Sequence, residues 1–316
     1  MPISEKEAVA SFRVLVAIAK ADGVLHPEER GSLESALAGI QLPTGVTLNN
    51  MLDEETNLDA QLSQMTNEEA RDACYTSAYA MAYADGDCSP EEKKMLDHIK
   101  ATLKLPDEKT TLLGRMFSEA KDTVLPSNIK AINDPARRAA EVKEDTIKYA
   151  IFSAVLGAFP VPGLAILTDL AVIGVQIKLI RDIGQYYGHV IDKAAARSLL
   201  LGVGVGAGAR IAVSNIAKLV PGFGSAVGAV ASYAATYAVG KMANSYFENG
   251  CKADMATLKK AFKDAEKEGK QQYQKDKDLI AQKQKENQEK IKVLASDRKA
   301  GKISEEEYER KLQELA

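Results

Sequence analysis

Four carboxylates are the side chains of this sequence whose types and spacing best suit chemistry. Asp22 and Glu29 lie in the segment ADGVLHPEE, and Asp85 and Glu92 lie in ADGDCSPEE. In both segments Ala-Asp-Gly is followed at the same offset by Pro-Glu-Glu. Hard divalent cations prefer oxygen ligands, so carboxylates that converge from two turns could hold one. The prediction is a divalent cation, Ca²⁺ or Mg²⁺, bound by these four residues, and no other cofactor.

The same residues also have a purely structural interpretation. Each segment resembles the second half of an EF-hand loop, but the ligand positions of the first half fall on Ile18 and Lys20, or on Met81 and Tyr83, which excludes a true EF-hand. Ser89 and Glu92 have the spacing of a capping box, and glutamates favour the positive end of a helix. The metal and the capping interpretations both stay open at this point.

Other catalytic chemistry lacks its motif. The glycines at 202, 204, 206 and 208 fit neither GxxxxGK nor GxGxxG, which excludes a phosphate-binding loop and predicts no ATPase or GTPase activity. The three histidines, His26, His98 and His189, make no HExxH motif. The three cysteines, Cys74, Cys88 and Cys251, make no CxxC pair, which indicates free thiols in a reducing compartment. We expect a protein that is not an enzyme, with a metal-dependent hydrolase as the weaker alternative.

The elements that must position the carboxylates are predicted to be helices. Alanine and leucine are abundant and β-branched runs are short, which favours an all-α fold. Ser4 and Glu7 predict a capping box that begins a helix over 4–20, and Thr66 and Glu69 predict a second one. The two acidic segments would then be the turns of two helix-turn-helix repeats in an acidic bundle over residues 1–124.

The doubled motif resembles the TerB-like domain of tellurite-resistance proteins. The resemblance rests on ADGVLHPEE and ADGDCSPEE, each of which closes an apolar helix and opens another, and it covers about residues 5–124. It implies a bacterial stress-response protein, and it associates the acidic residues at these motifs with divalent-ion binding.

Residues 143–250, after a linker over 125–142, form a predicted hydrophobic Gly/Ala-rich helical domain. Their blocks AFPVPGLAILTDLAVIGVQIKLIRDIGQYYG and LVPGFGSAVGAVASYAATYAVGKMANSYFENG resemble domain of unknown function 697, a GTPase-associated and inner-membrane family. The resemblance implies membrane lipid or a membrane protein as partner, or a separate GTPase. Residues 149–168 and 219–240 are uncharged over about the length of a span, although Pro160 and Pro162 interrupt the first.

Residues 251–316 form a predicted charged helical tail. Tyr273, Ile280, Asn287 and Leu294 recur at seven-residue spacing, but lysine and glutamine fill most other core positions of this seam. We expect a long polar helix with little fixed packing, or a marginal coiled coil that could support self-association. The end, DRKAGKISEEEYERKLQELA, resembles the short C-terminal domain called SHOCT, with Gly301 breaking the chain and Ser304 and Glu307 capping a last helix.

Charge is distributed unevenly over these parts. Residues 1–124 carry 12 Lys/Arg against 22 Asp/Glu, residues 125–251 carry 12 against 8, and residues 252–316 carry 17 against 14. An acidic head repels nucleic acid, and the later parts are too weakly basic to bind it. The prediction is a non-enzymatic binding or scaffold protein, cytoplasmic, without a signal peptide, at the cytoplasmic face of or within the inner membrane. The alternative is a soluble structural or assembly protein that buries every apolar helix.

Overall fold

The structure is a computed structural model that describes residues 3–21, 30, 33–34, 37, 45–83, 88–122, 129–159, 165–203 and 224–315. Within these ranges the regular elements are helices and no strand occurs, which confirms the predicted all-α fold. The described residues fall into two compact units. One comprises the described parts of Met1–Ser118, Pro160–Ile166 and Val205–Gly228, and the other combines Glu119–Phe159, Leu167–Gly204 and Ala229–Ala316.

The first unit is built on two long alanine-rich helices. Helix α1 packs along α4, the short helices α2 and α3 flank α1, and α5 packs on α4. Phe12, Leu15 and Ala19 lie on the buried face of α1, as the sequence predicts. The helices of this unit are α1 (Glu5–Ala19), α2 (Leu48–Asp53), α3 (Leu58–Leu62), α4 (Glu68–Ala82), α5 (Pro90–Leu103) and α6 (Asp107–Asp122).

The helix caps confirm the predicted capping boxes of α1 and α5. Ser4 with Glu7 begins α1, and Ser89 with Glu92 begins α5. The predicted box of Thr66 and Glu69 is wrong, because Asn67 is the cap of α4 and its Oδ1 accepts from the amide of Ala70 at 2.8 Å. Thr66 instead donates to the carboxylate of Glu7 at 2.9 Å.

The second unit contains four helices of the apolar segment and both helices of the tail. Asp134 caps α7 at the predicted Asp134-Pro135 start, with 2.7 Å between its Oδ1 and the amide of Arg137. The helices are α7 (Pro135–Gly157), α8 (Ala165–Tyr186), α9 (Lys193–Val203), α10 (Gly224–Glu248), α11 (Met255–Lys299) and α12 (Glu305–Gln313).

The tail helix α11 is part of the core, so the expectation of little fixed packing is wrong. Leu258, Phe262 and Ala265 belong to the same apolar cluster as residues of α7, α8, α9 and α10. The helix packs against α7, α9 and α12. At Gly269 it approaches α10 so closely that a Cβ there would lie 2.9 Å from the Cα of Ala234. The sequence did not predict this packing, because the buried stripe is narrow and most residues of the helix are polar.

The buried stripe of α11 has a period of eleven residues instead of seven. Leu258, Gly269, Ile280 and Ile291 lie eleven residues apart, and the other buried residues of the helix fall on two further offsets of that repeat: Phe262 and Ala295, and Ala265, Asn287 and Arg298. Eleven residues over three turns is close to the 3.6 residues per turn of a straight helix, whereas a seven-residue stripe drifts by about 20° per heptad. Of the predicted seam, Ile280 and Asn287 lie on the buried stripe, whereas Tyr273 and Leu294 are only partly buried.

Helix α12 folds back on the second unit after a tight turn. Gly301 has a φ of +70°, which a glycine adopts without strain, and it ends α11 as the sequence predicts. Ser304 caps α12, and Tyr308 and Leu312 are buried. In the part of the chain that the structure describes, no helix combines the length and apolarity needed to cross a bilayer.

Candidate functional site at the acidic turns

The structure describes one of the four predicted metal ligands. Asp22, Glu29 and Asp85 lie outside the described residues. Glu92 accepts a hydrogen bond from the amide of Ser89 at 2.8 Å and so completes the capping box of α5. Within the described ranges, no group of three or more His, Cys, Asp or Glu side chains is arranged to hold a metal ion. The capping role of Glu92 is confirmed, and the metal site stays a prediction.

Side chains next to the first acidic turn pair with the end of α2. The guanidinium of Arg30 binds Asp53 at 2.5 Å and Glu34 at 2.9 Å. Arg13 pairs with Glu54 at 3.3 Å, and the Nζ of Lys20 donates to the carbonyl of Glu54 at 3.4 Å. Hydrogen bonding to Arg30 lowers the pKa of Asp53, so that carboxyl stays ionised. Asp53, Glu54 and Glu34 thus pair with cations that precede or follow this turn in the chain.

The second acidic turn follows a ladder of tyrosines on α4. The rings of Tyr79 and Tyr83 stack with centroids 4.4 Å apart, and Tyr75 lies one turn earlier at 6.3 Å from Tyr79. Burial raises the pKa of Tyr75 to about 12 and raises the pKa of Tyr79 and Tyr83 as well. All three phenols are therefore neutral at physiological pH, and the wall they form is aromatic and uncharged.

The carboxylate of Glu7 ties the beginning of α1 to the beginning of α4. Its Oε2 accepts from the amide and hydroxyl of Ser4 at 2.9 and 2.8 Å. Its Oε1 accepts from the amide and hydroxyl of Thr66 at 3.1 and 2.9 Å, and from Nδ2 of Asn67 at 3.0 Å. Burial alone would raise the pKa of Glu7, but the hydrogen bonds from Ser4 and Thr66 outweigh it and lower the pKa below its ordinary value. The two repeats therefore share one ionised carboxylate.

Cys74 and the two described histidines, His98 and His189, are each engaged in packing or pairing. Cys74 is buried in α4, and burial raises the pKa of its thiol to about 12, which keeps it in the unreactive neutral form. His98 pairs with Asp59 at 2.6 Å in the first unit, and His189 stacks on Phe247 in the second. These partners give each of the three side chains a packing or pairing role.

A polar network between α7 and α8 escaped the sequence reasoning. Asp182 accepts from the hydroxyl of Tyr149 at 2.8 Å and from the Nζ of Lys178 at 2.6 Å, and it is 1% exposed. Asp145 accepts from Tyr186 at 2.8 Å. The sequence contains a pattern that could have predicted this network, because its residues recur at four-residue spacing on each helix. They are Asp145 and Tyr149 on α7, and Lys178, Asp182 and Tyr186 on α8. The network joins the two helices through neutral phenols.

Comparison with known proteins bears on the first unit. Residues 6–114 match the model of a family described as tellurite resistance protein TerB. This segment is about a third of the 316-residue chain and contains both acidic turns. No curated protein and no solved structure matches the chain.

Proposed function

We propose, on the premise that residues 6–114 form a TerB domain, that this chain is a non-enzymatic binding or scaffold protein of tellurite resistance. The match to the TerB family carries the proposal, because it covers both repeats and both acidic turns. The described side chains that adjoin the two turns in the chain are engaged in pairing and packing, as Arg30 with Asp53 and Tyr79 with Tyr83 show, which is compatible with a binding role.

The ligand that we propose for this domain is a divalent cation. Asp22, Glu29, Asp85 and Glu92 supply oxygen ligands, and hard cations prefer oxygen. Glu92 could take part only by sharing its carboxylate between the cation and the amide of Ser89, so we expect Asp22 and Asp85 to dominate affinity. We expect the cation to bind weakly, because the two turns supply few ligands that are held in place.

Calorimetric titration of the full chain with Ca²⁺ and with Mg²⁺ tests this ligand. We expect binding to the wild type and its loss in an Asp22→Asn/Asp85→Asn variant. A matched control is Asp264→Asn/Asp278→Asn, which removes the same charge from two exposed positions of α11. Equal binding by all three proteins would contradict the assignment of the acidic turns.

The partner that we propose for residues 143–250 is membrane lipid or a membrane protein, with a separate GTPase as the other candidate. The apolar composition of this segment and its resemblance to domain of unknown function 697 support the proposal. Since none of the described helices is suited to cross a bilayer, we propose reversible contact at the cytoplasmic face. Flotation of the detergent-free full chain with liposomes that contain anionic lipid tests it, and a protein that never floats would refute the lipid contact.

A structural or assembly protein is the second candidate function. It is favoured by the burial of apolar side chains of α8 and α10, such as Leu179, Ile183, Tyr233 and Met242, within the second unit. A chain that stays dispersed without lipid but forms a defined complex with itself or with a second protein would favour this candidate.

A further inference from the structure

We propose that α12 is a pH-sensitive latch, which is docked on the second unit while the buried carboxyl of Glu309 carries a proton and is released as that carboxyl ionises. The proposal is independent of the metal and membrane proposals above. It concerns the short terminal helix and the surfaces of α8, α9 and α11 that its residues face.

The buried face of α12 is unusual in its chemistry. It consists of Glu305, Tyr308, Glu309 and Leu312, all at most 5% exposed. Two of these four residues are glutamates, a residue type that is almost never fully buried unless it is paired. The face by which this helix docks therefore carries as many carboxyl groups as apolar or aromatic side chains.

One of the two glutamates has a strong partner and the other lies against bare backbone. The Nε of Arg298 donates to Glu305 at 2.6 Å, and both side chains are buried. Among the described residues, none offers a hydrogen bond to the Oε1 of Glu309. That oxygen lies against α8 at Gly174, where an added Cβ would be only 2.6 Å away. An ionised carboxylate in this position would bury a charge with an unsatisfied oxygen, which is costly.

The charged groups around α12 give ionised Glu309 little compensation. Asp169 of α8 faces Tyr308, Lys193 of α9 faces Glu309, and Arg298 of α11 is committed to Glu305. The hydroxyl of Tyr308 also lacks a hydrogen-bond partner within the described part of the chain. Burial first, and then the charge of Glu305, raise the pKa of Glu309 to about 8, against the opposing effect of Lys193.

The direction of the pH dependence follows from proton linkage. A released α12 exposes Glu309, whose pKa then returns to its ordinary value of 4.5. Below that pH both states are protonated and docking is at its strongest. Between the ordinary and the raised pKa the docked state holds a proton that the released state loses, so docking weakens by up to about tenfold per pH unit. Above the raised pKa the effect is complete and levels off.

Hydrogen exchange of the full chain tests the latch. Protection factors, from which the intrinsic pH dependence has been divided out, should fall for the amides of α12 by about 100-fold between pH 5.5 and 7.5. In Glu309→Gln, which keeps the size but cannot ionise, they should stay constant over that range. Glu306→Gln, on the exposed side of the same helix, should behave as the wild type. Equal pH profiles in wild type and Glu309→Gln would overturn the proposal.

A second measurement needs no variant of the buried residue. Carbon-13 carboxyl resonances of the wild-type chain should include one glutamate that titrates well above the ordinary value of 4.5, at a midpoint between that value and the pKa of docked Glu309. If every glutamate titrates at the ordinary value, Glu309 holds no extra proton while docked and the proposal is overturned.

Discussion

At the scale of single residues, Glu7 shows how one carboxylate can serve two helices. It caps α1 together with Ser4, and it accepts from Thr66 and Asn67 where α4 begins. The capping box of α1 was predictable from the sequence, because it depends on residues three apart. The bond from Thr66 was not predictable, because it joins residues 59 apart and displaces the local box that Thr66 and Glu69 would have formed.

We expect Glu7→Gln to lower the stability of the first unit by about 2 kcal/mol, because an amide replaces a carboxylate that accepts hydrogen bonds from Ser4, Thr66 and Asn67. The pKa of Glu7 is lowered in the folded protein, so its stabilisation is present above pH 4.5 and is lost as the pH falls through the lowered value. Thermal unfolding from pH 7 to pH 3 should therefore show weaker acid sensitivity in Glu7→Gln than in the wild type.

The control is Glu5→Gln, which removes a carboxylate from the same helical turn at an exposed position. Its effect should stay within about 0.5 kcal/mol. Equal losses from the two variants would mean that general charge near the start of α1, and not the bonds to α4, sets the stability.

At the scale of elements, the approach of α10 to α11 depends on a missing side chain. The Cβ of an alanine at position 269 would lie 2.9 Å from the Cα of Ala234 and 3.1 Å from its carbonyl oxygen. Hydrogen bonds cross the same contact, with 2.5 Å from Tyr237 to Glu268 and from Tyr233 to Asp276. Backbone atoms cannot move aside as a flexible side chain can, so the two helices would have to separate.

We expect Gly269→Ala to destabilise the second unit by about 1–3 kcal/mol through overpacking, although alanine favours a helix over glycine by about 1 kcal/mol. Gly114→Ala in α6 is the matched change, because its nearest neighbour, the hydroxyl of Tyr79, lies at 3.4 Å. That variant should gain about 0.5–1 kcal/mol. Thermal unfolding of both proteins measures the signs, and a gain in both would contradict the close approach.

The eleven-residue period of α11 could not be predicted from the sequence. A long helix was predictable from its composition. Its buried face was not, because glycine, asparagine and arginine occupy stripe positions such as Gly269, Asn287 and Arg298. These residues are buried for reasons of contact: Gly269 by the approach of α10, Asn287 by a bond to the carbonyl of Leu315 at 3.3 Å, and Arg298 by Glu305.

At the scale of the whole molecule, the apolar core of the second unit is complete only when the tail helix α11 packs against it. Phe262 is 4% exposed in the core cluster that helices α7 to α10 share. We expect Phe262→Ala to cost about 3–5 kcal/mol, a large part of the 5–15 kcal/mol that stabilises a typical domain. Leu279→Ala, at a position of the same helix that is 44% exposed, should change stability by about 0.5 kcal/mol or less.

Denaturant unfolding of the full chain, followed by circular dichroism, separates these outcomes. Small and equal losses of stability in the two variants would indicate that α11 has little fixed packing, as the sequence predicts. Of the predicted metal ligands, Glu92 caps a helix, and Asp22, Glu29 and Asp85 lie outside the described residues.

The place of α11 in the core also governs how the protein can be made. Residues of α7 to α10, up to Phe247, are synthesised before Leu258, Phe262 and the rest of the stripe to Arg298. At about 5–20 residues per second, the ribosome needs roughly 3–10 seconds to extend the chain from Phe247 to Arg298. During this interval the apolar surface of α7 to α10 that α11 later buries is exposed on the nascent chain. A chaperone, or any other apolar surface near the ribosome, therefore meets these helices before their own partner does.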